Sequence, residues 1–225
     1  MKDKTKKILL WILDLGINIV IIFGLVIIIQ TWIVAPFDVS GASMCDTLNV
    51  VKGECQSGYG EKIIINEAVY LTGEPERGDI VVFKSPNDED KYFIKRVIGL
   101  PGETVEIKDG EIYVKEVGSE KSEKIDEKYL NDENRENTKT YFSNMSTFDV
   151  PADHYFVLGD NRRASTDSRS CFEGNISADC EQHPEKAFVP RANIRGKTWV
   201  VWWPIQNIRV IHHQSYNNSE SLEEK

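Results

Sequence analysis

The sequence contains no cluster of basic residues beyond its first seven positions. Its 225 residues include 36 Asp and Glu against 27 Lys and Arg, for a formal net charge of −9. Proteins that bind nucleic acid instead concentrate Lys and Arg on one face, where they meet phosphates. The charge distribution therefore excludes nucleic acid as a partner. The length is enough for one domain and a membrane anchor.

Histidine is scarce, and no histidine lies in a motif typical of a Ser-His-Asp triad. Such a triad needs an imidazole placed beside the serine as its base. The sequence disfavours that mechanism, and surface or structural roles are expected for all four histidines: His154, His183, His212 and His213.

The four cysteines fall into two close pairs, Cys45 with Cys55 and Cys171 with Cys180. This pattern suits either local disulfides or a single metal site. Zinc ligands usually come from cysteines two to four residues apart, whereas nine and eight residues separate the members of these pairs. The cellular compartment decides between the two interpretations, because disulfides persist in oxidising surroundings.

The N-terminal segment is typical of a transmembrane anchor. Four lysines within residues 1–7 precede an apolar run at 8–29, which at about 1.5 Å per residue crosses a hydrocarbon core of roughly 30 Å. Trp11 and Trp32 lie where the two membrane interfaces are expected. The next basic residue is Lys52, so the charge bias predicts a cytoplasmic N-terminus and an extracytoplasmic remainder. Outside the membrane, disulfides are favoured over a metal site.

Two other interpretations of this segment are a cleaved signal peptide and a buried core helix. The apolar run is longer than a signal-peptide core, and residues 33–36 offer no small-x-small cleavage site. A core helix would show a polar face, but only Asp14, Asn18 and Gln30 interrupt the apolar pattern. We expect a retained anchor over residues 8–34, with Asp14 near an interface or facing a partner.

Beyond Pro36 the sequence predicts a mainly β domain over residues 35–214. Short apolar runs alternate with Gly, Pro and Asp, and Asp109-Gly110 predicts a hairpin turn. The charged stretch at 116–140 has few apolar side chains and is expected to be a solvated, flexible insertion. Residues 215–225 are expected to form a polar, frayed tail. The candidate strands are 63–71, 79–84, 92–98, 104–108, 111–115, 155–158 and 197–202.

Residues 40–48 (SGASMCDTL) follow the anchor and contain a candidate nucleophile, Ser43. Gly41 permits an unusual backbone angle beside this serine, and the small Ala42 leaves room for a substrate chain. By itself such a stretch is also compatible with an ordinary polar turn.

A lysine in the middle of an apolar strand is the second candidate. In residues 92–98 (YFIKRVI), Lys95 and Arg96 are adjacent and so point to opposite faces of the strand, and one of them is expected to face inward. Burial disfavours the ammonium form and lowers the pKa of a lysine, which makes the neutral amine available as a base. The alternative is a solvated lysine at a sheet edge.

A third polar stretch, residues 159–169 (GDNRRASTDSR), follows the candidate strand 155–158. Its carboxylates and arginines are close enough to form a hydrogen-bonded ion network, and Ser165 could orient a neighbouring amine. The alternative is a polar surface loop.

Together these stretches resemble the bacterial-type signal peptidase I family, the membrane-anchored serine–lysine peptidases that remove signal peptides from exported proteins. The resemblance rests on four blocks: 40–48 (SGASMCDTL), 77–83 (RGDIVVF), 92–103 (YFIKRVIGLPGE) and 159–169 (GDNRRASTDSR). It implies a single N-terminal transmembrane helix followed by a β-rich catalytic domain that needs no cofactor or metal.

By the same resemblance, Ser43 is the nucleophile, Lys95 is the general base and Ser165 orients the amine. The Ser43 main-chain N–H contributes to the oxyanion hole. A supporting polar network comprises Arg96, Asp160, Asp167 and Arg169. The pockets for small side chains before the scissile bond correspond to Phe37, Val39, Met44, Leu48, Val82, Phe93 and Ile94.

The chain departs from the family pattern at two positions. Asp46 stands where the family usually has a proline that stiffens the turn. Gly41 stands where some Gram-negative members have a serine that donates to the oxyanion, although Gram-positive members share the glycine. One such donor contributes about 2.7 to 4 kcal/mol to the transition state.

The resemblance thus implies a membrane-bound endopeptidase that cleaves signal peptides after small residues, of the Ala-x-Ala type, with the lipid bilayer holding enzyme and substrate together. One alternative is a catalytically silent homologue that assists surface assembly, suggested by the Cys45-Asp46 substitution. Another, a soluble self-cleaving repressor, is opposed by the anchor. Disulfides Cys45–Cys55 and Cys171–Cys180 are predicted, and the first is expected to replace the stiffening lost at Asp46.

Overall fold

The structure, a computed structural model, describes residues 2–174, 178–214 and 216. Over these residues one long helix precedes a domain made almost entirely of strands. The helices are α1 (Lys2–Trp32), α2 (Val69–Thr72) and α3 (Ala178–Gln182). The strands are β1 (Val34–Asp38), β2 (Val50–Val51), β3 (Glu54–Cys55), β4 (Lys62–Asn66), β5 (Ile80–Ser85), β6 (Asp88–Gly99), β7 (Thr104–Lys108), β8 (Glu111–Lys115), β9 (Glu123–Lys124), β10 (Thr147–Asp149), β11 (His154–Leu158), β12 (Val189–Pro190), β13 (Ile194–Trp203) and β14 (Arg209–Val210).

Helix α1 stands apart from the core of the domain. Its stretch Lys6–Ile27 is long and apolar enough to cross a membrane, and none of it is buried in the protein. Apolar side chains from Ile8 to Ile27 are exposed along its length. An apolar helix whose side chains are exposed fits the predicted anchor. The predicted polar tail lies outside the described residues, except for Tyr216.

The main sheet is antiparallel, with strand order β1-β4-β13-β5-β6-β11-β12, and β14 pairs with β13. Its central strands are covered on both faces. In β5, Ile80 and Val82 pack into one apolar cluster, while Val81 and Phe83 pack into another. Because successive side chains of a strand point to opposite faces, an unbroken apolar run is what such a strand requires.

A second sheet, ordered β10-β7-β8-β9, packs against the main sheet near β11. Its inward residues Val105, Ile107, Ile112 and Val114 form one cluster with Phe156 of the main sheet. As predicted, a hairpin joins β7 to β8, since Lys108 pairs with Glu111 across the turn. Both turn residues, Asp109 and Gly110, have the positive φ angles of a tight hairpin, 53° and 85°.

Most predicted strands are present, but the one predicted at 63–71 is wrong in its second half. Strand β4 ends at Asn66, whose side-chain Oδ1 accepts the Val69 N–H at 3.2 Å as the short helix α2 begins. Asparagine favours this kind of local hydrogen bond over a continued strand.

The prediction of a solvated insertion at 116–140 is also wrong in part. The segment adds β9 to the second sheet and buries Ile125, Leu130, Asn134 and Thr138. Of its apolar residues, Ile125 and Leu130 are buried, whereas Val117 is 72% exposed. The insertion is therefore part of the folded structure.

Candidate active site

Ser43 lies in the loop between β1 and β2. The buried side chain of Asn49 stabilises this loop. The Asn49 side-chain Nδ2 donates to the carbonyls of Val39 and Gly41 at 3.2 and 3.0 Å. Asn49 and Glu61 also exchange two hydrogen bonds between main chain and side chain, at 2.9 and 3.0 Å. Gly41 has a φ of 82°, which agrees with the expectation of an unusual backbone angle there. The position of the loop is therefore fixed on the side of the domain core.

Strand β6 brings Lys95 to this loop. Its Nζ lies 2.8 Å from the Ser43 Oγ and donates a second hydrogen bond of 2.8 Å to the Ile94 carbonyl. Lys95 is 2% exposed, and the neighbouring Arg96 is 1% exposed. We expected one of these two cations to face inward. Both are buried, because both faces of β6 are covered at this point.

Burial determines the proton affinity of the Lys95 amine. Loss of water disfavours the ammonium and lowers the pKa of Lys95 to about 8, although the charges of Asp167 and Asp160 act in the opposite direction. A neutral amine 2.8 Å from a hydroxyl can accept its proton. The pair thus has the geometry of a nucleophile and its base.

On the other face of β6, Arg96 forms a bidentate ion pair with Asp160. The distances are 2.9 Å from Nε to Oδ1 and 2.7 Å from an Nη to Oδ2. The Thr47 hydroxyl donates to the same carboxylate at 2.5 Å. Arg96 also donates to the Gly78 carbonyl at 2.9 Å. This ion pair connects three parts of the site: strand β6, which carries the candidate base Lys95 (the base strand), the 159–169 loop, and the loop of residues 39–49 that carries Ser43 (the serine loop).

Asp167 and Arg169 form a second buried ion pair within the 159–169 loop. The two Arg169 nitrogens lie 2.9 and 2.7 Å from the carboxylate oxygens, and the Gly159 N–H donates to the same carboxylate at 3.0 Å. Burial alone would raise the pKa of Asp167, but the Arg169 charge and these hydrogen bonds lower it below its usual range. The four predicted network residues thus form two ion pairs around Lys95.

Gly159 lets the loop approach the serine closely. A side chain there would meet the Ser165 Oγ at 2.1 Å and the Ser43 carbonyl oxygen at 2.4 Å, so only glycine fits. Asn161 adds two hydrogen bonds to the serine loop, from its N–H to the Ser43 carbonyl and from its Nδ2 to the Ala42 carbonyl, both at 3.1 Å. The loop is therefore held directly against the main chain of the candidate nucleophile.

Ser165 is buried against Gly159, and within residues 2–174, 178–214 and 216 its hydroxyl meets the full geometry of no hydrogen bond. It lies close enough to the Asp167 carboxylate to help lower the pKa of that group. No hydrogen bond joins it to the Lys95 amine, which instead donates to the Ile94 carbonyl. The expected orienting role of Ser165 therefore stays a prediction.

A groove of about 300 Å³ runs past Ser43 and Lys95. Five of the predicted pocket residues line it: Phe37, Val39, Val82, Phe93 and Ile94. The sequence analysis missed other lining residues: Asp38, Ser40, Ile63, Tyr92, Ala164 and Thr166. The strand pairs Phe37↔Ile63 and Lys84↔Tyr92 place Ile63 and Tyr92 there, and such pairs need the sheet register.

Met44 and Leu48, also predicted for the substrate pocket, are not among the residues that line this groove, so their role there stays a prediction. They are 2% and 0% exposed and pack with Ile65 and Ile80 in the core behind the serine loop. The turn that follows Ser43 directs both side chains inward, with the Thr47 and Leu48 N–H groups donating to the Met44 carbonyl. These two residues support the loop from behind.

Both predicted disulfides are present. Cys45–Cys55 joins the serine loop to β3, and Cys171–Cys180 joins the end of the 159–169 loop to α3. Each therefore lies next to one of the two loops that form the site.

Several supporting residues were not identified from the sequence. Asn49 and Glu61 stabilise the serine loop, and Arg162 donates to the Gly159 carbonyl at 3.2 Å and bonds the Thr138 hydroxyl at 2.6 Å. Arg162 is 1% exposed. Arg162 lies inside the 159–169 block, and this position alone could have indicated that it belongs to the polar network.

A β-sheet domain that presents a serine beside a buried lysine at the wall of a groove has the arrangement of a serine peptidase, a class of hydrolase. The chain belongs to the signal peptidase family, peptidase S26, whose family model matches residues 12–203. This membership supports removal of signal peptides as the activity of the chain.

Individual relatives agree with this assignment. Signal peptidase I S of Bacillus subtilis strain 168 is 37% identical over 172 residues, covering 75% of this chain and 82% of that protein. Signal peptidase IB of Staphylococcus aureus strain COL is 35% identical over 215 residues, covering 91% and 94%. A solved signal peptidase I from Enterococcus faecalis V583 is 32% identical and covers 56% of this chain and 97% of that one, with a TM-score of 0.38. A TM-score of this size does not establish a shared fold, so the family assignment rests on sequence.

Proposed function

We propose that this protein is a membrane-bound serine endopeptidase that removes N-terminal signal peptides after small residues, with Ser43 as nucleophile and Lys95 as general base. The observation that carries the proposal is the 2.8 Å separation of the Ser43 Oγ and the buried Lys95 Nζ at the wall of the groove. A serine is a weak nucleophile at neutral pH unless an adjacent base accepts its proton.

The proposed reaction proceeds through an acyl-enzyme. Neutral Lys95 accepts the hydroxyl proton as the Ser43 Oγ attacks the carbonyl carbon of the scissile peptide bond. The ammonium then donates that proton to the leaving amine. Neutral Lys95 then deprotonates a water that attacks the resulting ester, and the ammonium returns this proton to the Ser43 Oγ as the C–O bond breaks and the carboxylic acid leaves.

The negative charge on the carbonyl oxygen during attack needs a hydrogen-bond donor. The Ser43 main-chain N–H donates to no protein acceptor in the described part of the chain, so it is available for this role. Gly41 offers no side-chain donor. Because one such donor is worth about 2.7 to 4 kcal/mol, the main-chain N–H is expected to supply much of the stabilisation. Ser165 is proposed to orient the amine when substrate is bound.

Substrate selection is assigned to the apolar groove walls. Val39, Val82 and Ile94 line the groove with Ser43 and offer an apolar surface to a substrate side chain. Preference for an Ala-x-Ala sequence before the scissile bond is proposed on the family resemblance.

We further propose that α1 is a single-pass anchor in the cell membrane, with residues 1–7 in the cytoplasm and the catalytic domain outside. The N-terminal lysines and the two disulfides support this orientation. Strands β13 and β14 and their connection also expose Trp199, Trp202, Trp203, Ile205 and Ile208 to solvent. An exposed patch rich in tryptophan is typical of a surface that meets a bilayer interface.

The test uses the full chain in detergent or lipid with a preprotein that bears an Ala-x-Ala site. Mass spectrometry of the products is expected to show cleavage after the second alanine. Ser43→Ala is the matched control and should release nothing, and a preprotein with phenylalanine at the position before the scissile bond should resist cleavage. Binding of the preprotein without cleavage by the unaltered enzyme would instead favour a silent homologue that assists assembly.

A further inference from the structure

Asp46, three residues after Ser43, has a backbone conformation that proline cannot adopt. Its φ is 113°, in a region that few residues other than glycine occupy. A proline ring holds φ near −65°. Asp46 is therefore not a simple replacement of a proline within an unchanged turn, and the turn needs another source of stability.

The Asp46 carboxylate receives three hydrogen bonds from the insertion at 116–140. Asn131 donates its main-chain N–H at 2.9 Å and its Nδ2 at 2.7 Å, and Asn134 donates its Nδ2 at 3.1 Å. Asn134 is 4% exposed, and its own N–H donates to the Asn131 Oδ1 at 2.9 Å. Hydrogen bonds to a carboxylate are stronger than those between neutral groups.

The same part of the insertion also contacts the other two blocks of the site. The Tyr129 ring lies 3.8 Å from the Arg96 guanidinium, on the base strand. Glu127 accepts from Arg162 at 2.9 Å, and the Asn134 Oδ1 accepts the Arg163 N–H at 3.4 Å, both in the 159–169 loop. Residues 127–134 therefore join the serine loop, the base strand and the 159–169 loop.

We propose that Asn131 and Asn134 are positioning residues that hold Ser43 against Lys95 through the Asp46 carboxylate. The inference rests on the proposed function, in which the distance between Ser43 and Lys95 determines the rate. The turn from Met44 to Leu48 is short and hydrogen-bonded, so a shift of Asp46 is transmitted to Ser43. Misplacement of a reacting group by about 1 Å can cost roughly a hundredfold in rate.

Asn131 is the residue to change first, because it is exposed and its truncation leaves no cavity. Asn131→Ala is expected to lower kcat about tenfold or more, since it removes one hydrogen bond to the charged Asp46 and also the acceptor of the Asn134 N–H. KM and the unfolding temperature should change little. The matched control is Asn137→Ala, an exposed asparagine of the same insertion whose Nδ2 donates to the carbonyls of Glu133 and Arg135.

An exchange of the two side chains tests the contact itself. Asn131→Asp places two carboxylates together and should lower kcat further, whereas the double variant Asp46→Asn with Asn131→Asp restores a carboxylate–amide pair and should recover most of kcat. Asparagine tolerates positive φ, so the backbone at position 46 can be kept. Asp46→Pro, although it restores the family residue, is expected to lower kcat because its φ is incompatible with the turn.

Hydrogen exchange of the peptide 40–50 gives a readout that does not depend on activity. Asn131→Ala should speed exchange there, and Asn137→Ala should not. Equal kcat and equal exchange for these two variants would overturn the proposal, as would failure of the double variant to recover activity. If the unaltered enzyme cleaves no preprotein, the proposed function fails, and the exchange experiment still decides whether Asn131 holds the serine loop.

Discussion

The rate of signal-peptide cleavage is expected to rise about tenfold per pH unit up to pH 8 and then to level off. Burial lowers the pKa of Lys95 to about 8, and only the neutral amine can accept the Ser43 proton. At pH 7 an amine with this pKa is roughly 9% neutral, whereas one at the usual value of about 10.4 is roughly 0.04% neutral. At pH 7, burial therefore increases the fraction of Lys95 in the neutral form, which acts as the base, roughly 200-fold.

The assay is kcat/KM for a preprotein measured from pH 5.5 to 10.5 at constant ionic strength. Competitive labelling of the Lys95 amine in Ser43→Ala reports the same titration without turnover. Asp167→Asn should move the rise to lower pH, because the Asp167 charge raises the pKa of Lys95 and its loss leaves Arg169 unpaired nearby.

Lys91→Gln is the matched control, since Lys91 is on the same strand with its side chain 70% exposed and should leave the profile unchanged. A rate that stays constant until above pH 10, or a Lys95 amine that titrates there, would refute the account of a buried base.

Three further outcomes are expected. Ser43→Ala and Lys95→Ala should each abolish processing, and the double variant should be no worse than either, because both groups act in one step; substantial activity in Lys95→Ala would contradict the pair. Asp160→Ala leaves the 1%-exposed Arg96 guanidinium without its carboxylate and should destabilise the protein by about 3 to 5 kcal/mol, read from denaturant unfolding. Cys55→Ala is expected to lower kcat more than it lowers the unfolding temperature, and a fully active variant would show that the first disulfide does not stabilise the serine loop.

Local patterns in the sequence were sufficient for the main components. A long apolar segment determines a helix that no polar face ties to the domain, and a two-residue Asp-Gly turn determines a hairpin, because both depend on neighbouring residues alone. The cysteine pairs were predictable for the same reason, since each closes a short loop. Lys95 was a candidate from its own segment because it interrupts an apolar strand, whereas Ser43 received its role from the family resemblance, and the catalytic roles of both stay predictions.

The tertiary structure alone decided which side chains face the groove and which face the core. Alternation along β6 places Lys95 and Arg96 on opposite faces, but only the packing of both sheets shows that both faces are covered. Met44 and Leu48 are as apolar as the groove residues, and only the direction of the turn after Ser43 assigns them to the core. The Asp46 carboxylate contacts Asn131 and Asn134, which lie 85 and 88 positions later in the sequence, so no local pattern contains this contact. Polar residues in an insertion look solvated in sequence, because their hydrogen-bond partners exist only once the chain has folded.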